Sequence, residues 1–184
     1  PPFASRLPCT AGRRAGGLDL LIGILSDSHG RAKPVRAAVE LFDRLGVEHV
    51  IHCGDVGGIE VFDELLGQPL TFVWGNTDVV SGGTLAYLRR VGVQVPGASP
   101  ARLTLCGRTF AVFHGHEGGF EAAPHVLGVD YVLHGHTHAA RDERIGSTRI
   151  INPGALHRAT RKTVATLHLP TDELRLYEIG DKGS

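Results

Sequence analysis

Residues 20–76 decide the fold, and they read LLIGILSDSHGRAKPVRAAVELFDRLGVEHVIHCGDVGGIEVFDELLGQPLTFVWGN. Three short apolar runs in this stretch predict buried strands, at 20–25, 47–51 and 70–73. Two segments between them read as helices, and each is followed by a glycine, at 32–45 and 60–66. Strands that alternate with helices predict a βαβαβ unit, which opens a parallel sheet.

The second half of the chain has a different pattern, in which short strands follow one another as hairpins. The predicted hairpins pair 102–106 with 109–113, 141–145 with 148–151, and 162–169 with 173–179. Helices are predicted at 84–91 and 119–127, and a further strand at 129–133. An α/β first half and a hairpin-rich second half together indicate two packed sheets with helices on the outside.

Polar clusters follow five of the predicted strands. They are Asp27-Ser-His29, Gly54-Asp55, Gly75-Asn76, His114-Gly-His116 and Gly135-His136-Thr-His138. Each cluster alone is a common helix cap or turn, but five of them at strand ends are a specific signal. The tips of strands in α/β sheets are where ligands bind. Carboxylates, imidazoles and one amide oxygen, without a thiolate, suit borderline divalent ions such as Mn, Fe, Zn, Co or Ni.

In these residues the chain resembles the calcineurin-like metallophosphoesterases, whose pattern is D-x-H, GD, GN, H and GHxH in that order. With Asn152-Pro153-Gly154 downstream, it is similar to the small YfcE-type phosphodiesterases over about residues 20–179. The resemblance implies an α/β fold, an αββα four-layer sandwich of two mixed β-sheets flanked by helices. It also implies a divalent-metal-dependent phosphodiesterase, in which a water activated by two metal ions attacks phosphorus.

The resemblance further implies a ligand set for two divalent ions, with Mn expected first and Ni, Fe, Zn or Co as alternatives. Asp27, His29 and His138 would hold the first ion. Asn76, His114 and His136 would hold the second, and Asp55 would bridge the two. The chemistry agrees with this set, because two neighbouring cations need an anionic bridge to offset their repulsion, and they clamp both oxygens of an in-line displacement.

The chain departs from the larger family members at Thr77, where they carry a histidine that protonates the leaving group. A threonine hydroxyl is too weak an acid for that role near neutral pH. We therefore expect a preference for esters with good leaving groups, with His116 as a candidate substitute. Asp78 is expected to orient a neighbouring histidine, and Glu117 to be solvated. Two interpretations stay open for Asn152-Pro153-Gly154-Ala155: its backbone N–H groups face the substrate phosphate, or it is a plain turn.

Two alternative functions stay open on the sequence. A phosphomonoesterase of the same fold would need extra positive donors, which Arg31, Arg158 and Arg161 offer near the motifs. A non-catalytic metal-binding scaffold is the other alternative, because a retromer subunit resembles this fold and has lost part of the ligand set. All seven ligand positions are filled in this chain, which favours an enzyme.

Composition predicts one domain at 18–184, preceded by a disordered extension at 1–17 that is rich in Pro, Gly and Arg. The 19 basic and 19 acidic residues give no net charge and no nucleic-acid footprint, so the expected partner is a small phosphate ester. No apolar stretch approaches the roughly 20 residues that span a bilayer. Three scattered cysteines argue against a disulfide framework and for a cytoplasmic protein, and a homo-oligomer is expected from the resemblance.

Most of the other histidines have no motif to explain them. We expect surface or packing roles for His49, His125, His157 and His168. Cys53 directly precedes Gly54-Asp55, and we interpret it as a packed strand-end thiol rather than a ligand, because a free cysteine behaves as a small buried hydrophobe.

Overall fold

A βαβαβ unit opens the chain, as predicted, in the computed structural model, which describes residues 19–180. Its elements are β1 (Leu21–Leu25), α1 (Ala32–Leu45), β2 (His49–His52), α2 (Ile59–Leu65) and β3 (Leu70–Phe72), and α3 (Gly82–Arg90) follows. Gly46 ends α1 in the left-handed conformation expected of a C-terminal glycine. Ser81 caps α3 by accepting a hydrogen bond from the backbone N–H of Thr84.

The second half contains the three predicted hairpins. Its strands are β4 (Ala101–Leu105), β5 (Arg108–Val112), β6 (Tyr131–Leu133), β7 (Arg141–Ile145), β8 (Thr148–Asn152), β9 (Thr163–His168) and β10 (Glu173–Glu178). Antiparallel pairs form between β4 and β5, β7 and β8, and β9 and β10. The hairpin register is therefore set locally, by short turns such as the one at Cys106 and Gly107, both of which have positive φ.

The strands form two mixed five-stranded sheets. The first has the order β10-β9-β1-β2-β3, and the second the order β4-β5-β6-β8-β7. Strands β1, β2 and β3 run parallel in the first sheet, and β5, β6 and β8 run parallel in the second. The prediction of two mixed sheets flanked by helices is confirmed.

Three apolar layers hold the sandwich together. The middle layer joins the two sheets, where Ile22 and Ile24 of β1 meet Tyr131 and Leu133 of β6. The alternate residues of the same strands face outward: Leu25 packs under α1 and α2, and Val132 packs beneath α4 (Ala123–Val126). This alternation follows from the two-residue period of a strand, and it explains why strands covered on both faces are almost wholly apolar.

The helix predicted at 119–127 is the one element that the structure corrects. A 3-10 turn (Phe120–Ala122) and the single-turn helix α4 occupy this segment instead. Gly119 has a φ of 94° and therefore precedes the 3-10 turn, and Pro124 has no backbone N–H to donate to the carbonyl of Phe120, as a continuous helix would require. The apolar spacing was real, since Phe120 and Ala123 are buried, but the backbone could not continue as one helix.

No helix between residues 19 and 180 has the length and apolar character needed to cross a membrane. The disordered extension predicted at 1–17 lies outside the described residues.

His49 gives the fold a testable dependence on pH. The side chain is only 4% exposed, and its Nε2 lies 2.9 Å from Thr71 Oγ1. Burial lowers the pKa of His49 from 6.5 to about 4 because a charged imidazole is poorly solvated there. Between these two values the unfolded chain binds a proton that the folded chain does not. Folding stability therefore rises with pH in this window and is lost as the pH falls from 6.5 towards 4.

Replacement of His49 by Gln removes the titrating group and keeps a polar partner for Thr71. The loss of unfolding free energy between pH 7 and pH 4 should become smaller by roughly 2–4 kcal/mol in the variant. Urea unfolding of the metal-free proteins at the two pH values measures the difference. An equal loss of stability in both proteins would contradict the assignment.

Candidate metal centre

The polar clusters converge on one edge of the sandwich. The loops after β1, β2 and β3 and those after β5 and β6 carry the predicted ligands. Parallel strands end on the same side of their sheet, and the two sheets face each other across the middle apolar layer. The carboxyl ends of five strands therefore deliver polar side chains from two sheets to one place.

The first group of side chains consists of Asp27, His29 and His138, which form one of two clusters suited to a metal ion. Asp27 Oδ1 lies 3.3 Å from Nε2 of His138 and 4.0 Å from Nε2 of His29. The two imidazole Nε2 atoms are 3.5 Å apart. Three potential ligand atoms thus lie close together, and an added cation would offset this crowding of lone pairs.

The second group surrounds His114, which is fully buried. Its Nε2 lies 3.1 Å from Asn76 Oδ1 and 3.4 Å from Asp55 Oδ2. The ring of His136 is 5.1 Å from that of His114, between centroids. Asp27, Asp55 and His114 form the second cluster suited to a metal ion, so the two clusters share Asp27.

Asp55 stands between the two groups. Its Oδ2 is 3.4 Å from His114 Nε2 and 3.6 Å from His29 Nε2. Its Oδ1 accepts a hydrogen bond of 2.9 Å from the backbone N–H of Thr77, which fixes the rotation of the carboxylate. One oxygen is therefore held in place by the backbone, while the other faces both groups of imidazoles.

Backbone carbonyls orient two of the histidines. His114 Nδ1 lies 2.8 Å from the carbonyl oxygen of Cys53, and His138 Nδ1 lies 3.3 Å from that of Arg158. A carbonyl only accepts hydrogen bonds, so in each neutral ring the proton sits on Nδ1. The lone pair of Nε2 then faces the centre, which is the tautomer that a metal ligand needs.

Asp27 provides the strongest indication that a cation belongs here. The side chain is completely buried, and burial raises its pKa because a carboxylate is costly to desolvate. Oδ2 accepts a hydrogen bond from the backbone N–H of His136. Within residues 19–180, however, Oδ1 accepts none. A buried carboxylate oxygen without a donor is expensive, and a divalent ion would satisfy it, so these residues fit the metal that the motifs predict.

Five of the seven predicted ligands have a left-handed backbone. The φ angles are 53° at Asp27, 45° at His29, 52° at Asp55, 67° at His136 and 57° at His138. This conformation is uncommon outside glycine and costs roughly 1–3 kcal/mol at each position. The loops therefore hold their ligands inward against the local preference of the backbone.

The motif glycines have two different roles. Gly54 has a φ of 89°, as expected for a sharp turn. Gly75 and Gly135 do not have positive φ, and they are required for space instead. A Cβ at Gly75 would lie 2.1 Å from Asp55 Oδ1, and one at Gly135 would lie 2.6 Å from Asp27 Oδ2. The carboxylates occupy the volume that any other residue would fill.

Asp78 holds the loops together and does not orient a histidine, so that expectation was wrong. Its carboxylate accepts backbone hydrogen bonds of 3.2 Å from Val56, 2.7 Å from Gly57 and 2.7 Å from Gly75. These contacts join the loop after β2 to the loop after β3. Asp78 therefore positions Asp55 and Asn76 indirectly, because it holds the backbone of the two loops that carry them.

Glu117 has a similar role, although we expected it to be solvated. Its carboxylate accepts hydrogen bonds from the backbone N–H groups of His114 and Gly115, at 2.9 and 2.7 Å, and from the hydroxyl of Ser99. His116 lies beside it at the rim, with its ring 5.4 Å from that of His114 and its side chain 37% exposed. The structure thus places His116 next to the centre and open to solvent.

The turn after β8 supports the loop that carries His136 and His138. Asn152 is fully buried, and its Nδ2 donates to the carbonyl of Gly135 and the hydroxyl of Thr137. Its Oδ1 accepts the N–H of Gly154 at 2.8 Å, and Pro153 has no N–H. The N–H of Gly154 is therefore used within the turn, and the contact with phosphate stays a prediction for the N–H of Ala155.

Sequence reasoning missed His157 as a neighbour of the centre. Its ring lies 5.6 Å from that of His29, and it was expected to have a surface or packing role. Burial, followed by the nearby Arg31, lowers its pKa. His157 lies in the loop between β8 and β9, three residues after Asn152-Pro153-Gly154, and only its position beyond that motif could have indicated that it is near the centre.

Comparison with known proteins identifies the family. The model of the calcineurin-like phosphoesterase superfamily domain matches residues 20–172. A phosphodiesterase of Methanocaldococcus jannaschii, MJ0936, is 31% identical over 136 residues, which cover 72% of this chain and 82% of the relative. The chain therefore belongs to the calcineurin-like phosphoesterase superfamily, a family that implies divalent metal cofactors.

Solved structures agree with this fold. An archaeal phosphodiesterase superimposes with a TM-score of 0.78 at 27% identity, over 86% of this chain and 99% of the other. The phosphoesterase YfcE from E. coli gives 0.61 at 19% identity, over 88% and 100%. Vacuolar protein sorting 29 from Cryptosporidium parvum gives 0.63 at 18% identity, over 90% and 94%. The last two show the shared fold alone.

Gly75 offers a direct test of the crowding around Asp55. Replacement by Ala would place the Cβ 2.3 Å from the backbone nitrogen of Asp55, so the loop must shift. We expect the affinity for Mn²⁺ to fall by about tenfold or more, as it does when groups that support ligands are disturbed. Isothermal calorimetry measures the affinity. Gly83→Ala is the matched control, because the nearest atom to its Cβ is 3.6 Å away, and equal affinities in the two variants would contradict the prediction.

Proposed function

We propose that this protein is a divalent-metal-dependent phosphodiesterase that binds two metal ions. The observation that carries the proposal is the position of Asp55 Oδ2, within 3.4 and 3.6 Å of imidazole nitrogens from two separate groups. A single carboxylate oxygen between two sets of neutral donors suits a bridge between two cations. The family match and the 31% identity to a phosphodiesterase support the same reading.

The proposed ligands are those that the motifs predict. One ion would be held by Asp27, His29 and His138, the other by Asn76, His114 and His136, and Asp55 would be shared. When bound, two divalent ions supply a water of lowered pKa and neutralise charge on the phosphate. The chain supplies the orientation: the carbonyls of Cys53 and Arg158 set the tautomers of two imidazoles, and the N–H of Thr77 fixes the bridging carboxylate.

The donor set favours Mn²⁺, with Ni, Fe, Zn or Co as alternatives, because it combines carboxylate, amide and imidazole donors. Cys53 contributes only its backbone to the centre. Its side chain is fully buried in the layer between the sheets, and burial raises the pKa of the thiol well above its usual value. A thiol held protonated in an apolar layer does not compete as a metal ligand.

Leaving-group protonation is the step for which the chain has the least obvious residue. Thr77 Oγ1 lies 3.4 Å from His29 Nδ1, and its hydroxyl does not donate a proton to an alkoxide at neutral pH. Esters whose leaving groups depart as stable anions are therefore the preferred substrates. His116 is an exposed imidazole that is not one of the proposed ligands. It lies at the rim beside the second group, with its ring 5.4 Å from that of His114.

A non-catalytic scaffold remains the second candidate, because the likeness to vacuolar protein sorting 29 extends over 90% of the chain. The complete set of seven donors favours catalysis, whereas the unsatisfied Oδ1 of Asp27 supports a bound cation under either candidate. For the phosphomonoesterase alternative, Arg161 is a weak donor, because its guanidinium already pairs with Glu178.

Asp55→Asn is the decisive variant for the bridge. The amide oxygen preserves an acceptor for the N–H of Thr77, while the negative charge is lost. We expect weaker binding at both metal positions and a decrease of several orders of magnitude in the hydrolysis of bis(p-nitrophenyl) phosphate. Metal content and turnover are measured after Mn²⁺ is restored to stripped protein. Asp43→Asn, at an exposed position, is the control. Metal content and turnover like those of the wild type in Asp55→Asn would refute the bridge.

His116→Ala tests whether the rim imidazole assists the leaving group. If it donates a proton, its loss should matter more for poor leaving groups than for good ones. The expected result is a steeper decrease of kcat with rising leaving-group pKa, across diesters that release p-nitrophenol, a chlorophenol or phenol. The same dependence in variant and wild type would exclude His116 from this role.

A further inference from the structure

A cavity of about 400 Å³ opens beside His138. This volume lies within the roughly 300–1,000 Å³ typical of small-molecule sites. Its walls come from three separate segments: the loop after β6, the loop before β9, and β10. Because His138 belongs both to the cavity and to the first group of donors, a molecule whose phosphate reached the metal centre would have this cavity directly alongside.

One wall of the cavity is small and apolar. It is formed by Ala140 and Ala159 from the two loops and by Leu176 from β10. Leu176 is 48% exposed, which is unfavourable for a large aliphatic side chain unless something covers it. Two short alanine side chains and an exposed leucine in one lining leave apolar surface that a flat, apolar group would cover.

The charged part of the cavity is internally neutralised. Arg161 Nε and Nη2 lie 3.0 and 2.9 Å from Glu178 Oε2. The hydroxyl of Thr163 donates to the carbonyl of Pro153 at 2.7 Å. Because Arg161 is paired with Glu178, it offers no uncompensated positive charge to a further phosphate group. Its planar guanidinium is suited to stack on a ring instead.

The same groups indicate which part of a phosphodiester belongs here. A leaving oxygen gains negative charge as its bond to phosphorus breaks, and it needs a proton or a cation. Of the polar groups in the cavity, the Arg161–Glu178 pair and the threonine hydroxyls are not acids at neutral pH. Arg161 and Glu178 neutralise each other, so the pair offers a developing negative charge neither a proton nor a net positive charge. The substituent that stays on phosphorus gains no charge, so it needs neither a proton nor a cation from the cavity.

We propose that this cavity binds the retained substituent of the phosphodiester and selects a flat, neutral group such as an aromatic ring. The proposal rests on the proposed function, because it takes the phosphate to lie at the metal centre next to His138. It adds a specificity site formed by Ala140, Ala159, Arg161 and Leu176.

Two diesters with one leaving group isolate this site. Benzyl p-nitrophenyl phosphate and methyl p-nitrophenyl phosphate carry the same charge and both release p-nitrophenolate, so they differ only in the retained substituent. For the Mn²⁺-loaded wild type, we expect kcat/KM to be about tenfold or more higher for the benzyl ester, as expected when a ring is buried. Ala159→Leu and Ala140→Leu each fill the cavity from a different loop, and each should bring this ratio close to one.

Ala86→Leu is the matched control, because it makes the same change at an exposed position of α3 that does not line the cavity. It should keep the wild-type ratio. Urea unfolding confirms that all three variants are folded. A ratio that stays at the wild-type value in both cavity variants would overturn the proposal, as would a wild-type ratio near one.

Equilibrium binding separates this proposal from the proposed function. Calorimetry compares benzyl phosphate with methyl phosphate on the Mn²⁺-loaded protein, and we expect tighter binding of the benzyl compound that is lost in Ala159→Leu. If neither diester is hydrolysed but this preference is present, the cavity is supported and the phosphodiesterase assignment fails. Equal affinities of the two phosphates for the wild type would overturn the cavity assignment, whether or not the diesters are hydrolysed.

Discussion

The metal centre depends on backbone pairing that continues beyond the ends of β1 and β2. The N–H groups of Asp27, His29 and Gly30 donate to the carbonyls of Gly54, Asp55 and Val56, at 3.0, 2.9 and 2.8 Å. Two loops that would otherwise be independent are thereby held side by side. The carboxylate of Asp78 attaches the third loop to them. Side chains on loops fixed in this way need little reorganisation when an ion binds.

The second sheet supplies the remaining ligand residues of the site. His114, His136 and His138 are contributed by loops after β5 and β6, and the apolar middle layer fixes the distance between these strands and β1. The N–H of His136 also donates to Asp27 Oδ2 across the two sheets. Packing between the sheets and polar contacts at their edge therefore support each other, and neither sheet alone contains a complete group of donors.

Much of this arrangement could be predicted from the sequence, because strands buried on both faces appear as short apolar runs and their polar tips are distinct. The helix predicted at 119–127 failed because Pro124 cannot donate the hydrogen bond that a continuous helix needs, although the apolar spacing was correct. The roles of Asp78 and Glu117 could not be predicted, since each depends on which backbone N–H groups the fold brings near. His157 was missed for the same reason: its proximity to His29 arises only from the tertiary structure.

The left-handed backbone of the ligand residues has a consequence for how such a protein is maintained in a cell. Five such residues weaken the fold by several kcal/mol in total, and bound ions would return stability that grows with the logarithm of their free concentration. A chain that loses its ions would then unfold more frequently and become exposed to proteases. Under the proposed function, the amount of this protein would follow the supply of metal, so that starvation for the ion would remove the enzyme as well as its activity.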